Sequence, residues 1–217
     1  RVLHLEIALG YQHRGVEQAM IAGSHKRRIH WMETLAGDTS VGHASAYCQI
    51  LESLSGTVVP ERGQWLRAIA LELERLANHT GDLGALANDV AFLPTASYCG
   101  RLRGEFLNMT ALLCGSRFGR GLIRPGGVAF DLEDNRLQEL RQRLQRVLPD
   151  LRSAIRLLLE TPSVQSRLME TGRLTPEQCK ELGLVGPAAR ACGLSQDIRC
   201  EFPTGAYQSL HLPFLNW

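Results

Sequence analysis

Leu9-Gly10-Tyr11-Gln12-His13-Arg14-Gly15-Val16-Glu17 sets an aromatic ring, two cation-forming side chains and a carboxylate around two glycines within nine residues. Just upstream, Val2-Leu3-His4-Leu5-Glu6-Ile7 alternates apolar and polar side chains, the period of a half-buried strand. The pattern predicts a strand-to-helix corner, because the glycines permit close backbone approach and the helix start favours a negative group. Such a corner either aims its polar groups into a cleft or is a tight turn with solvated charges.

Working outward, Val16 to Ile21 reads as one or two helical turns ending at Gly23, and Ser24 can cap a second helix through Met32. Ala36-Gly37-Asp38-Thr39-Ser40 reads as a turn, with Thr39 or Ser40 capping a helix from Val41 to Ser55. Pro60 opens a long helix to about Ala87 whose Leu66, Ile69, Ala70, Leu73, Leu76 and Ala77 form an apolar stripe. Near its end Gly81, Gly84, Ala85 and Ala87 strip away bulk, so a neighbouring helix can pack closely there.

A third long helix is expected from about Ser97 to Phe118, broken by Gly119, Gly121 and Arg124-Pro125-Gly126-Gly127. From Asp131 onward, Leu137, Leu140, Leu144, Val147, Leu151, Ala154 and Leu158 keep one register past Pro149, which predicts one kinked helix. Thr175-Pro176-Glu177-Gln178 has the capping-box form and opens a short helix closed by Gly183. The tail Ile198 to Phe214 reads as irregular or paired strand. The expected fold is therefore mainly α: a long-helix bundle with a short N-terminal strand and a small irregular or β C-terminal part, residues 1–217 forming a single domain.

Composition narrows the function classes. At 217 residues and 44% hydrophobic the chain can bury a sizeable core, and a net charge of +2 supplies no argument for nucleic acid as a partner. Six cysteines without a CxxC pair read as reduced, mostly buried thiols. No signal-peptide pattern is present, and no apolar run approaches the roughly 20 residues that span a bilayer. Beginning at Arg1 without a methionine, the sequence reads as a fragment of a longer chain.

Gly10 to Glu17 resembles the corresponding segment of the large subunit shared by nickel-iron hydrogenases, especially the membrane-bound energy-converting kind, and by respiratory complex I, the NADH-quinone oxidoreductase. Further segments match in the same order: Gly42 to Cys48, Val59-Pro60-Glu61-Arg62, Glu74 to His79, Asn88-Asp89, Arg124-Pro125-Gly126-Gly127-Val128 and Leu182 to Pro187. The resemblance implies a hydrogenase large-subunit-like fold and a subunit that docks a small iron–sulfur subunit among other peripheral and membrane subunits. In that setting it couples electron transfer to proton movement and is inactive alone. It also implies a cytoplasmic location, held peripherally at the membrane through those partners.

At the reacting centre the resemblance implies departures. The two cysteine positions that open the nickel-iron site fall on Ala36 and Thr39, so no metal and no cofactor is expected on this chain, and the iron–sulfur cluster belongs to the partner. The tyrosine and histidine that hold a quinone headgroup in complex I fall on Gly37 and Arg120, which leaves quinone as a candidate ligand only. Glu17 matches a proton-moving carboxylate and Asp89 an acid near the quinone cavity; with His13 they are the candidate catalytic groups. Arg14, Gly37, Asp38, His43, Arg120 and Arg124 are the candidate cavity residues, with His79 a further protonic group. Glu17 can equally pair with Arg14 or Arg124 as a plain salt bridge. Two other readings stand beside the first: the quinone-site subunit of an NADH-quinone oxidoreductase, and a redox-inactive helical interaction module.

Overall fold

The computed structural model describes residues 3–210. Its elements in chain order are α1 (Val16–Ala22), α2 (Arg28–Met32), α3 (Ser40–Ser55), α4 (Glu61–Asp89), α5 (Leu93–Cys114), β1 (Ile123–Arg124), β2 (Gly127–Val128), α6 (Asp134–Glu160), α7 (Pro162–Leu168), α8 (Pro176–Glu181), α9 (Gly186–Ala191) and α10 (Ile198–Glu201). Short 3-10 turns at His25–Arg27 and Gly205–Ser209 complete it.

The architecture is the expected bundle of long helices. α4 packs along α5, α5 along α6, and α3 contacts α2, β1 and α4. Leu102, Phe106 and Met109 of α5 are fully buried between Ala70, Leu73 and Ala77 of α4 and Leu140, Val147 and Leu151 of α6. Burying each such large side chain stabilises the fold by about 1.5–3 kcal/mol. The missing bulk on α4 has the predicted use: a Cβ placed on Gly84 would lie 3.0 Å from the Cβ of Cys99 on α5. α6 runs unbroken past Pro149. Its arginine face is solvated, with Arg143 paired to Glu139 and Arg156 to Glu160 one turn away.

Three local expectations shift. The run from Leu3 to Ile7 forms no strand: its apolar side chains are 70–90% exposed and it pairs with no strand among the described residues. Val2 lies outside the described residues. The β structure is instead a hairpin at the Arg-Pro-Gly-Gly turn, pairing Ile123 with Val128 and Arg124 with Gly127. Gly126 (φ +84°) and Gly127 (φ +154°) supply the backbone angles it needs. The C-terminal part is a series of short helices rather than strand, started by the Thr175 capping box, which is present in full, and by Pro187 at the first turn of α9. Residues 211–214 of the tail lie outside the described residues.

Helix boundaries move for identifiable reasons. α5 starts at Leu93, with Pro94 in its first turn, and stops at Gly115 in the left-handed region (φ +77°). Asp131 does not open α6, because Arg62 and the Leu132 N–H both bind its carboxylate, at 2.6 and 2.7 Å. The tail is fastened to α4 through Glu72, which accepts from Arg199 at 3.0 Å and from the Tyr207 hydroxyl at 2.6 Å.

Candidate functional site

The corner and the turn meet. The Arg14 guanidinium donates to the carbonyls of Thr34 (2.5 Å) and Leu35 (2.8 Å), the residues that lead into Ala36. Beyond them a groove of about 720 Å³ runs along the turn, lined by Ala36, Gly37, Asp38 and Thr39, by Asn78, Gly81, Asp82 and Gly84 of α4, and by Ala96, Gly100 and Arg103 of α5. The small residues predicted to let helices approach thus also leave space beside the turn. Asp38 ties the turn to both walls: its carbonyl accepts from Asn78 at 3.0 Å and its carboxylate lies 3.4 Å from Arg103.

Of the candidates named from sequence, Gly37 and Asp38 line this groove and Arg14 braces the turn. Glu17, His13 and Asp89 are exposed and are not among its lining residues. His43 is half-buried in the first turn of α3, and Arg120 is exposed. Arg124 belongs to a different cluster, 3.9 Å from Glu33.

Three carboxylates, Glu33, Glu52 and Glu74, are buried among the described residues. Each accepts a backbone N–H from a loop, the hairpin or a helix start. Glu33 takes the Gly121 N–H at 2.7 Å and faces Arg124 and His30. Glu52 takes the Gly126 N–H at 2.7 Å and binds Arg67 through both oxygens, at 2.6 and 3.0 Å. Arg67 also donates to the carbonyls of Arg124 (2.7 Å) and Gly127, so one ion pair clamps the hairpin onto α3 and α4. Burial pushes the Glu52 carboxyl up, yet the Arg67 hydrogen bonds and the Gly126 N–H together hold it below its ordinary value.

Glu74 differs. Its oxygens take the N–H groups of Val41 (2.7 Å) and Gly42 (3.0 Å), capping α3 from a neighbouring helix where Thr39 supplies no side-chain cap. Burial raises its carboxyl to about 7, outweighing those two N–H donors and Arg75, with Asp38 adding to the rise. Burial likewise pushes the Cys48 thiol up to about 11, which leaves it an inert core group.

The donor set at the turn does not suit a thiolate-held metal. Ala36 offers a methyl group and Thr39 a neutral hydroxyl where soft metals require deprotonated sulfur.

Sequence reading missed Glu33, Glu52, Arg67 and Glu74. A signal existed on α4: Gly63, Leu66, Arg67, Ala70, Leu73, Glu74 and Ala77 are all buried and follow the i, i+3, i+4, i+7 spacing. Arg67 and Glu74 thus occupy core positions of the stripe.

The family model described as "Respiratory-chain NADH dehydrogenase, 49 Kd subunit" matches residues 89–214. An NADH-quinone oxidoreductase subunit of Solibacter usitatus is 31% identical over 96% of this chain and 56% of its own length. The carbon monoxide-induced hydrogenase of Rhodospirillum rubrum is 32% identical over 97% of this chain and 58% of its own length. Among solved structures, a chain of the membrane-bound sulfane sulfur reductase, an archaeal respiratory membrane complex, superposes with a TM-score of 0.88 at 25% identity, covering 95% of this chain and 56% of that one. The chain spans somewhat more than half the length of these three relatives. With the bundle, the hairpin and the ordered motifs all in place, the chain belongs to the family of the respiratory-chain NADH dehydrogenase 49 kDa subunit.

Proposed function

We propose that this chain serves in a complex I-like or hydrogenase-related oxidoreductase assembly, where it docks a small iron–sulfur subunit and helps couple electron transfer to proton movement. The single observation that supports this reading is a shared scaffold around a turn without thiolates: the bundle keeps a TM-score of 0.88 to a chain of a respiratory membrane complex, while Ala36 and Thr39 offer no soft ligand. In this reading the corner from Gly10 to Glu17 faces the partner's cluster, Glu17, His13 and Asp89 exchange protons at the exposed rim, and the cofactors lie outside the chain. No helix among the described residues is long and apolar enough to cross a membrane; in this reading the partner subunits hold the chain at a cytoplasmic membrane face. Co-expression with the small iron–sulfur subunit of the assembly tests the idea. A stable complex at micromolar concentration on size-exclusion chromatography is expected, and its absence contradicts the docking role.

The groove favours a second reading, a quinone headgroup seated beside the turn. Its volume of about 720 Å³ lies in the range of small-ligand sites, and Asn78 and Arg103, both held by Asp38, are the groove's donors for carbonyl oxygens. Arg103→Ala in the assembled complex is then expected to raise the KM for quinone several-fold. Unchanged kinetics would remove this reading and leave the docking role standing.

A further inference from the structure

Of the three buried carboxylates, only two have a cation to balance them among the described residues. Arg67 grips Glu52, and Arg124 stands 3.9 Å from Glu33. Glu74 is bound by two backbone N–H groups and, among the described residues, makes no ion pair. The charged groups facing it are few: Arg75 on its own helix and Asp38 on the turn. Asp38 is itself drawn toward Arg103 of α5, and His43 follows Gly42 on α3. A desolvated carboxylate with so little compensation holds a proton more tightly than one in water.

The position of Glu74 gives that proton a mechanical meaning. Its two donors are the first amides of α3, immediately after the groove-lining turn, and a Cβ on Gly42 would come within 3.3 Å of Oε1. Glycine at this position lets the carboxyl reach the helix end. The turn's own internal bond is long, 3.4 Å from the Thr39 N–H to the Ala36 carbonyl. The turn is also tied by Asp38 to Asn78 and Arg103, by the Ser40 hydroxyl on the Glu33 carbonyl and by Arg14 on the Thr34 and Leu35 carbonyls just before it, with Val41 buried in the core just after it.

We propose that Glu74 is a proton-linked latch on this turn: closure of the turn against α4 takes up one proton at the Glu74 carboxyl, and opening returns that proton to water. The direction follows from linkage. With the turn closed the carboxyl is dry and favours the neutral form; with the turn open it is hydrated and ionises as an ordinary glutamate. Raising the pH therefore favours opening, and any occupant of the groove that holds the turn shut draws a proton in. Glu74 is a positioning residue here, acting through the turn. The latch does not require the iron–sulfur partner, so its failure and that of the docking role are separate outcomes.

Amide hydrogen exchange on the 217-residue chain, with intrinsic exchange rates divided out, tests the latch alongside a carbon NMR titration of labelled glutamate. Between pH 5.5 and 8 the protection of the Val41 and Gly42 amides is expected to fall by about tenfold or more, through an opening of lower free energy than the global unfolding that exposes the Phe106 amide in the core. Glu74 is expected to titrate near neutrality over the same range. Glu74→Gln, neutral at every pH, is expected to abolish the pH dependence at Val41 and Gly42. Protection that stays flat in the wild type, or a pH dependence that survives in Glu74→Gln, overturns the proposal. If that variant does not fold, the wild-type titration decides: a Glu74 that ionises with the exposed carboxylates also overturns it.

Discussion

At the scale of single residues, the buried ions govern stability and its pH dependence. Arg67 satisfies Glu52 and two hairpin carbonyls at once, so Arg67→Ala strands a buried carboxylate. It is expected to cost about 3–5 kcal/mol in urea unfolding, and Arg67→Met,Glu52→Leu together much less. Glu74 acts in the opposite sense to Glu52. Its carboxyl is raised from 4.5 to about 7 in the fold, so the stability it contributes is fully present below about pH 4.5 and is lost as pH rises toward 7. The wild type is therefore expected to lose stability relative to Glu74→Gln between pH 5 and 8, by on the order of 3 kcal/mol, measured as the difference in unfolding free energy at each pH. None of these residues stood out from sequence as site residues. A charged side chain on an apolar helical stripe looks like a flank of the stripe until its partner, 15 residues away for Arg67 and Glu52, is placed beside it.

At the scale of elements, what was legible was what is local. The apolar periodicity of α4 and α6, the end of α3 at Ser55 and the capping box of α8 are short-range patterns, and each sits where the residues put it. The strand expected before Gly10 depended on a partner edge, which alternation alone cannot provide. The true start of α6 depended on Arg62, which lies 69 residues from Asp131. Two substitutions separate local from tertiary control. Thr175→Ala removes both capping-box bonds and is expected to cost about 1 kcal/mol, with exchange accelerated in α8 alone. Gly119→Ala is expected to destabilise the whole bundle by more than about 1 kcal/mol in calorimetry. Gly119 has φ +67°, and an added Cβ would collide with Cγ2 of Val41, in the first turn of α3.

At the scale of the whole molecule, the resemblance carried the fold further than the site. Ordered motifs from Gly10 to Pro187 pointed to a scaffold that superposes on a chain of a respiratory complex with a TM-score of 0.88. They did not locate the buried carboxylates, because Glu17 and His13, prominent in the sequence, are exposed, whereas Glu33, Glu52 and Glu74 are folded inward. The central claim is that the scaffold persists around a turn without thiolates. Elemental analysis of the complex assembled with its iron–sulfur partner tests that most directly. Iron in proportion to the partner's clusters with no nickel above background is the predicted result; nickel in stoichiometric amount on this chain would contradict it.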